Sequence, residues 1–193
     1  LCHFIFEYIR QLCLSNLRGE IMTNSITLLD GGMGQELVRR SKSKKPDPLW
    51  SLKIMQNEPQ LVVDIHRDFC RAGASIATLN TYCVTRARMC RSGFKASLSQ
   101  TLDLALQLAK RGIQDSGRDD VSLLSALPPL VASYHSESVL PFDQSYSEYH
   151  ELISLQRDKV DYFLAETLST ISEACAVLQA GHSLDVPLAV ALT

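Results

Sequence analysis

The sequence predicts an α/β fold built on a parallel sheet, and three observations point there. Five short apolar runs recur along the chain, at 26–29, 75–79, 121–126, 160–165 and 186–192. Most of the stretches between them carry apolar residues at helical spacing. Polar residues do not alternate within the runs, so the strands are buried on both faces. A doubly wound sheet and a (β/α)8 barrel both have this pattern. A barrel takes about 250 residues, so five units make somewhat over half of one. The expected fold is therefore a (β/α)8 TIM barrel, truncated here after about five βα units.

Each element follows from local signals. The first run ends in Asp30 and the turn residues Gly31 and Gly32, and Gln35 to Arg40 continue as helix. Asn57, Glu58 and Pro59 start a second helix. Its apolar face is Leu61, Val62, Ile65, Phe69 and Ala72, and Gly73 stops it. After the second strand, Leu98, Leu102, Ala105, Leu106 and Ala109 recur at helical spacing and lead to Gly112, where a stop is expected. A helix around 149–156 precedes the fourth strand. Ile171, Ala174, Cys175 and Leu178 form the next helix, which Gly181 ends before the fifth strand.

Composition excludes several function classes. A net charge of −2 argues against a nucleic-acid partner. The basic cluster Arg39, Arg40, Lys42, Lys44 and Lys45 lacks interleaved aromatics and reads as a solvated helix end and loop. The longest apolar stretch, 123–134, contains Pro128 and Pro129 and falls short of the roughly 18 to 20 residues of a membrane helix, so no membrane span is expected. The cysteines at 2, 13, 70, 83, 90 and 175 show no CxxC spacing, and reduced thiols in the cytoplasm are the simpler reading.

The two ends are unusual. Met22 stands just ahead of the first patterned strand and reads as the start, which makes 1–21 an upstream or non-native extension. Codons for Arg18, Gly19 and Glu20 accommodate AGGAG, the form of a bacterial ribosome-binding site. The rival is an amphipathic helix using Phe4, Ile5, Tyr8 and Leu12. At the other end, Thr193 follows an apolar strand with nothing after it. Residues 22–193 thus read as the N-terminal part of a barrel domain.

In parallel α/β folds the site collects at the carboxyl ends of the strands. The polar residues there are Asp30; Asn80, Thr81 and Tyr82; and Glu166 with Thr167. Asp30 and Glu166 suit acid/base work or the binding of an ammonium group, while Asp30 could instead cap the helix beginning near Met33. GGMG lacks the third glycine of a dinucleotide loop and reads as a tight turn. Cys83 and Cys90 read as core thiols, His66 and His150 as residues of solvated faces, and His135 as a candidate for the rim.

LLDGGMGQEL (28–37), Leu49 with Trp50, HRDFCRAGASIATLNTY (66–82), LPPLVASY (127–134) and DYFLAETLSTISEA (161–174) together resemble the zinc-dependent homocysteine S-methyltransferases. That family includes the betaine- and S-methylmethionine-dependent enzymes. The resemblance implies a barrel enzyme that moves a methyl group from a small-molecule donor to the zinc-bound thiolate of homocysteine, forming methionine. It also implies that Asp30 and Glu166 position homocysteine, that Gly31 and Gly32 approach the amino acid, and that Tyr82, beside Asn80 and Thr81, stands on the methyl-donor side. The sequence departs from the family at 126–129, where Ala126, Leu127, Pro128 and Pro129 replace a glycine-containing turn. The family's zinc ligands are an Asn-Cys segment and a Cys-Cys pair, which none of the six cysteines matches. They are expected beyond Thr193, so this chain alone is expected to be inactive. The alternatives are a barrel lyase or aldolase using Asp30 and Glu166, and a non-catalytic chain that binds a partner through its open sheet.

Overall fold

The computed structural model describes residues 27–42, 49–91 and 94–193. The readings of 1–21, Met22, Lys44 and Lys45 lie outside the described residues. Strands β1 (Ile76–Thr78), β2 (Ser122–Leu127), β3 (Tyr162–Leu168) and β4 (Leu188–Leu192) form one parallel sheet in that spatial order. Leu29 makes a parallel bridge to Ile76 on the other side of β1. All five predicted runs thus lie side by side in chain order. A doubly wound sheet reverses direction at a switch point, and this sheet does not. Consecutive parallel neighbours joined by helical crossovers are successive staves of a (β/α)8 barrel.

The first run is shorter as a strand than expected. Of its described residues only Leu29 pairs, supported by bonds from Ser75 N–H to the Leu28 carbonyl and from Asp30 N–H to the Ile76 carbonyl. Leu28 and Leu29 stay half exposed. The last strand also departs from the reading of burial on both faces: β4 is the edge of the described sheet and its residues are exposed or half-buried. No helix among the described residues is long and apolar enough to cross a membrane.

Seven helices are described: α1 (Met33–Arg40), α2 (Trp50–Asn57), α3 (Pro59–Arg71), α4 (Arg86–Arg91), α5 (Leu98–Ser116), α6 (Phe142–Ser154) and α7 (Ile171–Ser183). Helices α2 and α4 have no counterpart among the predicted elements, being too short for a periodic pattern to stand out. Helix α6 begins earlier than expected, directly after Pro141. Helix α5 opens with a reciprocal capping box between Ser97 and Gln100 and ends at Gly117, whose φ of +80° is the left-handed cap.

Gly112 does not stop α5 as the sequence suggests; it lies inside the helix against α3. The same contact overturns the reading of His66. That ring is fully buried beside Gly112 with neither nitrogen hydrogen-bonded, and burial lowers its pKa to about 4. Asp64, Arg67 and Asp68 are sequence neighbours, but a helix turns about 100° per residue. His66 therefore shares a face with Val62, Val63 and Cys70. Gly181 is likewise internal to α7, where Leu188 packs over it. Cys90 is exposed and is not the core thiol expected, while Cys83 is half-buried and packs against the core.

Strand β3 sets up the site. Phe163 and Ala165 pack into the core beneath the helices, while Leu164 and Glu166 face the other side of the sheet. The register then slips between Ala165 and Leu168, and Thr167 adopts φ +63°. One extra residue inverts the alternation, so Leu168 returns to the core. Holding a β-branched residue in the left-handed region costs about 1–3 kcal/mol and marks functional sites. Glu166 thus belongs to the strand and precedes a strained bulge, where the sequence reading ends the strand at Ala165.

Candidate functional site

The carboxyl ends of the strands and the turns after them enclose a cavity of about 370 Å³. Six of the seven predicted site residues line it: Asp30, Gly31, Gly32, Asn80, Tyr82 and Glu166. Thr81 is not among the lining residues. It is fully buried, and its hydroxyl donates to the Ala126 carbonyl at 2.9 Å, tying the β1 turn to the end of β2. His135 is also absent from the lining; it pairs with Glu137 at 2.6 Å on the surface.

Asp30 does not cap α1. The N-cap is Gly32, and no side chain caps that end. The Asp30 carboxylate instead accepts from the Thr78 backbone N–H at 2.7 Å and from the Thr78 hydroxyl at 2.6 Å. This double bond set clamps the first turn to the end of β1. Thr78 went unnoticed in the sequence reading, although a polar residue inside a short apolar strand was the available signal. Gly31 brings the backbone in close: a Cβ there would meet Phe69 Cε1 at 2.7 Å. Trp50, from the unpredicted helix α2, and Cys83 also line the cavity, with the Trp50 ring lying over Gly34.

The electrostatics are unbalanced. Burial raises the Asp30 carboxyl, and the Thr78 bonds only partly offset this. Burial also raises Glu166, and the Asp30 charge raises it further. Neither carboxylate has an ion-pair partner among the described residues. Of the described basic residues of the cluster, Arg39 pairs with Glu36 and Arg40 with Glu36 and Asp68, while Lys42 is exposed and does not line the cavity. Two carboxyls facing one cavity, with no cation paired to them among the described residues, suit a positively charged group.

The walls do not form a metal centre. No group of three His, Cys, Asp or Glu placed to hold a metal occurs among the described residues. A catalytic zinc site uses three protein ligands and an open position.

The family profile described as homocysteine S-methyltransferase matches residues 27–193. Homocysteine S-methyltransferase YbgG of Bacillus subtilis is 27% identical over 177 residues, covering 81% of this chain and 55% of its own length. The homocysteine S-methyltransferase of Escherichia coli is 34% identical over 96 residues, covering 49% of this chain and 31% of its own. The chain thus spans about half the length of the first relative and matches less of the second. Among solved structures, the metallated form of the homocysteine methyltransferase MmuM from Escherichia coli superposes with a TM-score of 0.71 at 21% identity, covering 92% of this chain and 64% of that one. At that identity the likeness shows the shared fold.

Proposed function

The chain belongs to the homocysteine S-methyltransferase family, and from that premise we propose that its cavity receives homocysteine for methylation to methionine by a small donor such as S-methylmethionine or betaine. The observation that carries this reading is the pair Asp30 and Glu166, facing one cavity with no ion-pair partner among the described residues. The ammonium of an amino acid removes their repulsion and draws both carboxyls back toward the ionised state. The α-carboxylate then finds the uncapped N-terminus of α1 at Gly32, where backbone N–H groups lack intrahelical acceptors. The backbone of Gly31 and Gly32, which lines the cavity, would lie close to the amino acid. With the amino-acid end fixed and the thiol proton lost to solvent, the sulfur attacks the donor methyl: a carbon–sulfur bond forms as the bond to the donor heteroatom breaks, and that electron pair leaves with the donor. Tyr82 offers a ring for a cationic donor.

Zinc, which the family resemblance implies as the holder of the thiolate, does not fit the described residues, because they contain no three-ligand group. These residues bind and orient the substrate rather than activate its sulfur. The 193-residue chain is accordingly expected to surrender added zinc completely to a chromophoric chelator. One equivalent retained through that competition would show a metal site in this chain. The four described cysteines are free thiols, which supports a reducing, cytoplasmic setting.

The chain has one tryptophan, Trp50, and it lines the cavity. Its emission is therefore expected to change on titration with L-homocysteine. The affinity should fall as pH drops through the raised carboxyl range, since protonated Asp30 and Glu166 no longer attract an ammonium. 4-Mercaptobutyrate, which lacks the amine, should bind at least about tenfold more weakly, the value of one lost charged hydrogen bond. Equal affinity for the two thiols would sink the assignment of the carboxylate pair.

A further inference from the structure

We propose that Arg88 is a positioning residue for the cavity, holding the Tyr82 ring and the loop after β2 in one arrangement. Tyr82 is the cavity residue expected on the donor side, yet its ring is also gripped from outside the cavity lining. The Arg88 guanidinium lies over it at 5.4 Å from the ring centre. The Tyr82 phenol and the Ser133 hydroxyl are 2.7 Å apart, and Arg88 Nη2 donates to that same hydroxyl at 3.1 Å. Nη2 also donates to the Pro129 carbonyl at 3.0 Å. Arg88, Tyr82 and Ser133 therefore close a triangle in which none moves without the others.

The surrounding contacts show what the triangle is fastened to. Thr85 donates to the Leu130 carbonyl at 2.8 Å, and Arg91 donates to the Val131 carbonyl. From the other side, Glu173 accepts from Leu130 N–H at 3.2 Å and from the Tyr149 hydroxyl at 3.0 Å. This is the loop whose Pro128 and Pro129 replace the expected glycine-containing turn. Its backbone is anchored by side chains along 85–91 and by α6 and α7, and among these anchors Arg88 also lies against the cavity residue Tyr82, beside the direct Tyr82–Ser133 bond. Arg88 also carries a cost that a purely structural side chain would not justify: its Nε is buried without a partner. Burial keeps the nearby Glu173 carboxyl raised, against the pull of its hydrogen bonds and of the Arg88 charge. A guanidinium fits here because its planar fork stacks on a ring while donating in its own plane.

The kinetic part of this inference rests on the methyltransferase reading; the ring readout does not. In the full-length protein labelled with ¹³C-tyrosine, the Tyr82 ring signal is identified by its loss in Tyr82→Phe. Arg88→Met should shift that signal toward those of exposed tyrosines such as Tyr134, and Arg88→Lys should restore it only in part. With the methyl donor varied, Arg88→Met should raise the donor KM by about fivefold or more, the worth of a partly desolvated cation–π contact, while the homocysteine KM changes by less than about twofold. An unmoved ring signal, or equal rises in both KM values, would overturn the role of Arg88. If Arg88→Met does not fold, Ser133→Ala opens the same triangle without touching the arginine, and an unmoved Tyr82 signal there is equally fatal. If the unsubstituted full-length protein methylates no homocysteine, the functional reading falls, and the ring signals alone decide Arg88.

Discussion

Glu166→Ala is expected to weaken homocysteine binding by about tenfold to a hundredfold, the value of 1.5–3 kcal/mol for a hydrogen bond to a charged group, while leaving the protein as stable as before or slightly more so. The two halves of that expectation come from one fact. Glu166 faces the cavity beside Asp30, and both burial and the Asp30 charge raise its pKa in the fold. A carboxyl whose folded pKa lies above its unfolded value contributes stability below the unfolded pKa, ordinarily about 4.5. That contribution is lost as pH rises through the folded value. Above the folded value the ionised Glu166 is therefore a burden on the empty protein, and removing it relieves Asp30. With an ammonium bound, the sign reverses, because the charge becomes half of the receptor. Glu166→Gln should show the same split, keeping the shape but not the charge. The checks are the Trp50 titration and a thermal melt on each variant. A variant that melts markedly lower with unchanged homocysteine affinity would make Glu166 a structural residue and remove it from the site.

The sequence exposed this site more clearly than it exposed the fold around it. Asp30, Asn80, Tyr82 and Glu166 were marked by one rule, that chemistry collects after the carboxyl ends of parallel strands, and Gly31 and Gly32 by the family resemblance; all six line one cavity. Thr81 and Thr167 obeyed the same rule and do not line it; Thr81 lies in a turn that directs its hydroxyl to the Ala126 carbonyl. Thr78 was missed because it lies within the strand rather than after it. The pairing of Glu166 with a bulge is not visible in a pattern of apolar residues; it depends on β3 finding its register against β4. Long helices were legible in α3 and α5 because their apolar faces repeat over several turns. Helices α2 and α4 have eight and six residues, too few turns for a period to separate from chance. The burial of His66 is a tertiary fact, set by which face of α3 meets α5.

Gly112→Ala places two principles in opposition, and packing is expected to win. In an exposed helix, alanine in place of glycine gains about 1 kcal/mol through lower chain entropy in the unfolded state. Position 112 is not exposed: an added Cβ would stand 2.5 Å from His66 Cβ, 2.8 Å from the Val63 carbonyl oxygen and 3.1 Å from the Arg67 nitrogen. None of these atoms is the free end of a side chain, so nothing local can rotate away. Helices α3 and α5 must separate along their contact, loosening the packing around His66 as well. Overpacking of this kind costs typically 1–3 kcal/mol, and more where backbone must move. The expected net loss is about 2 kcal/mol, seen as a fall of about 4–8 °C in the melting midpoint for a chain of this length. The geometry also predicts what will fail to rescue it. His66→Ala leaves the offending Cβ and the Val63 carbonyl in place, so the double variant should melt no higher than Gly112→Ala alone. A midpoint that rises in Gly112→Ala would mean that the two helices part cheaply, and the close approach at Gly112 would then have no bearing on stability.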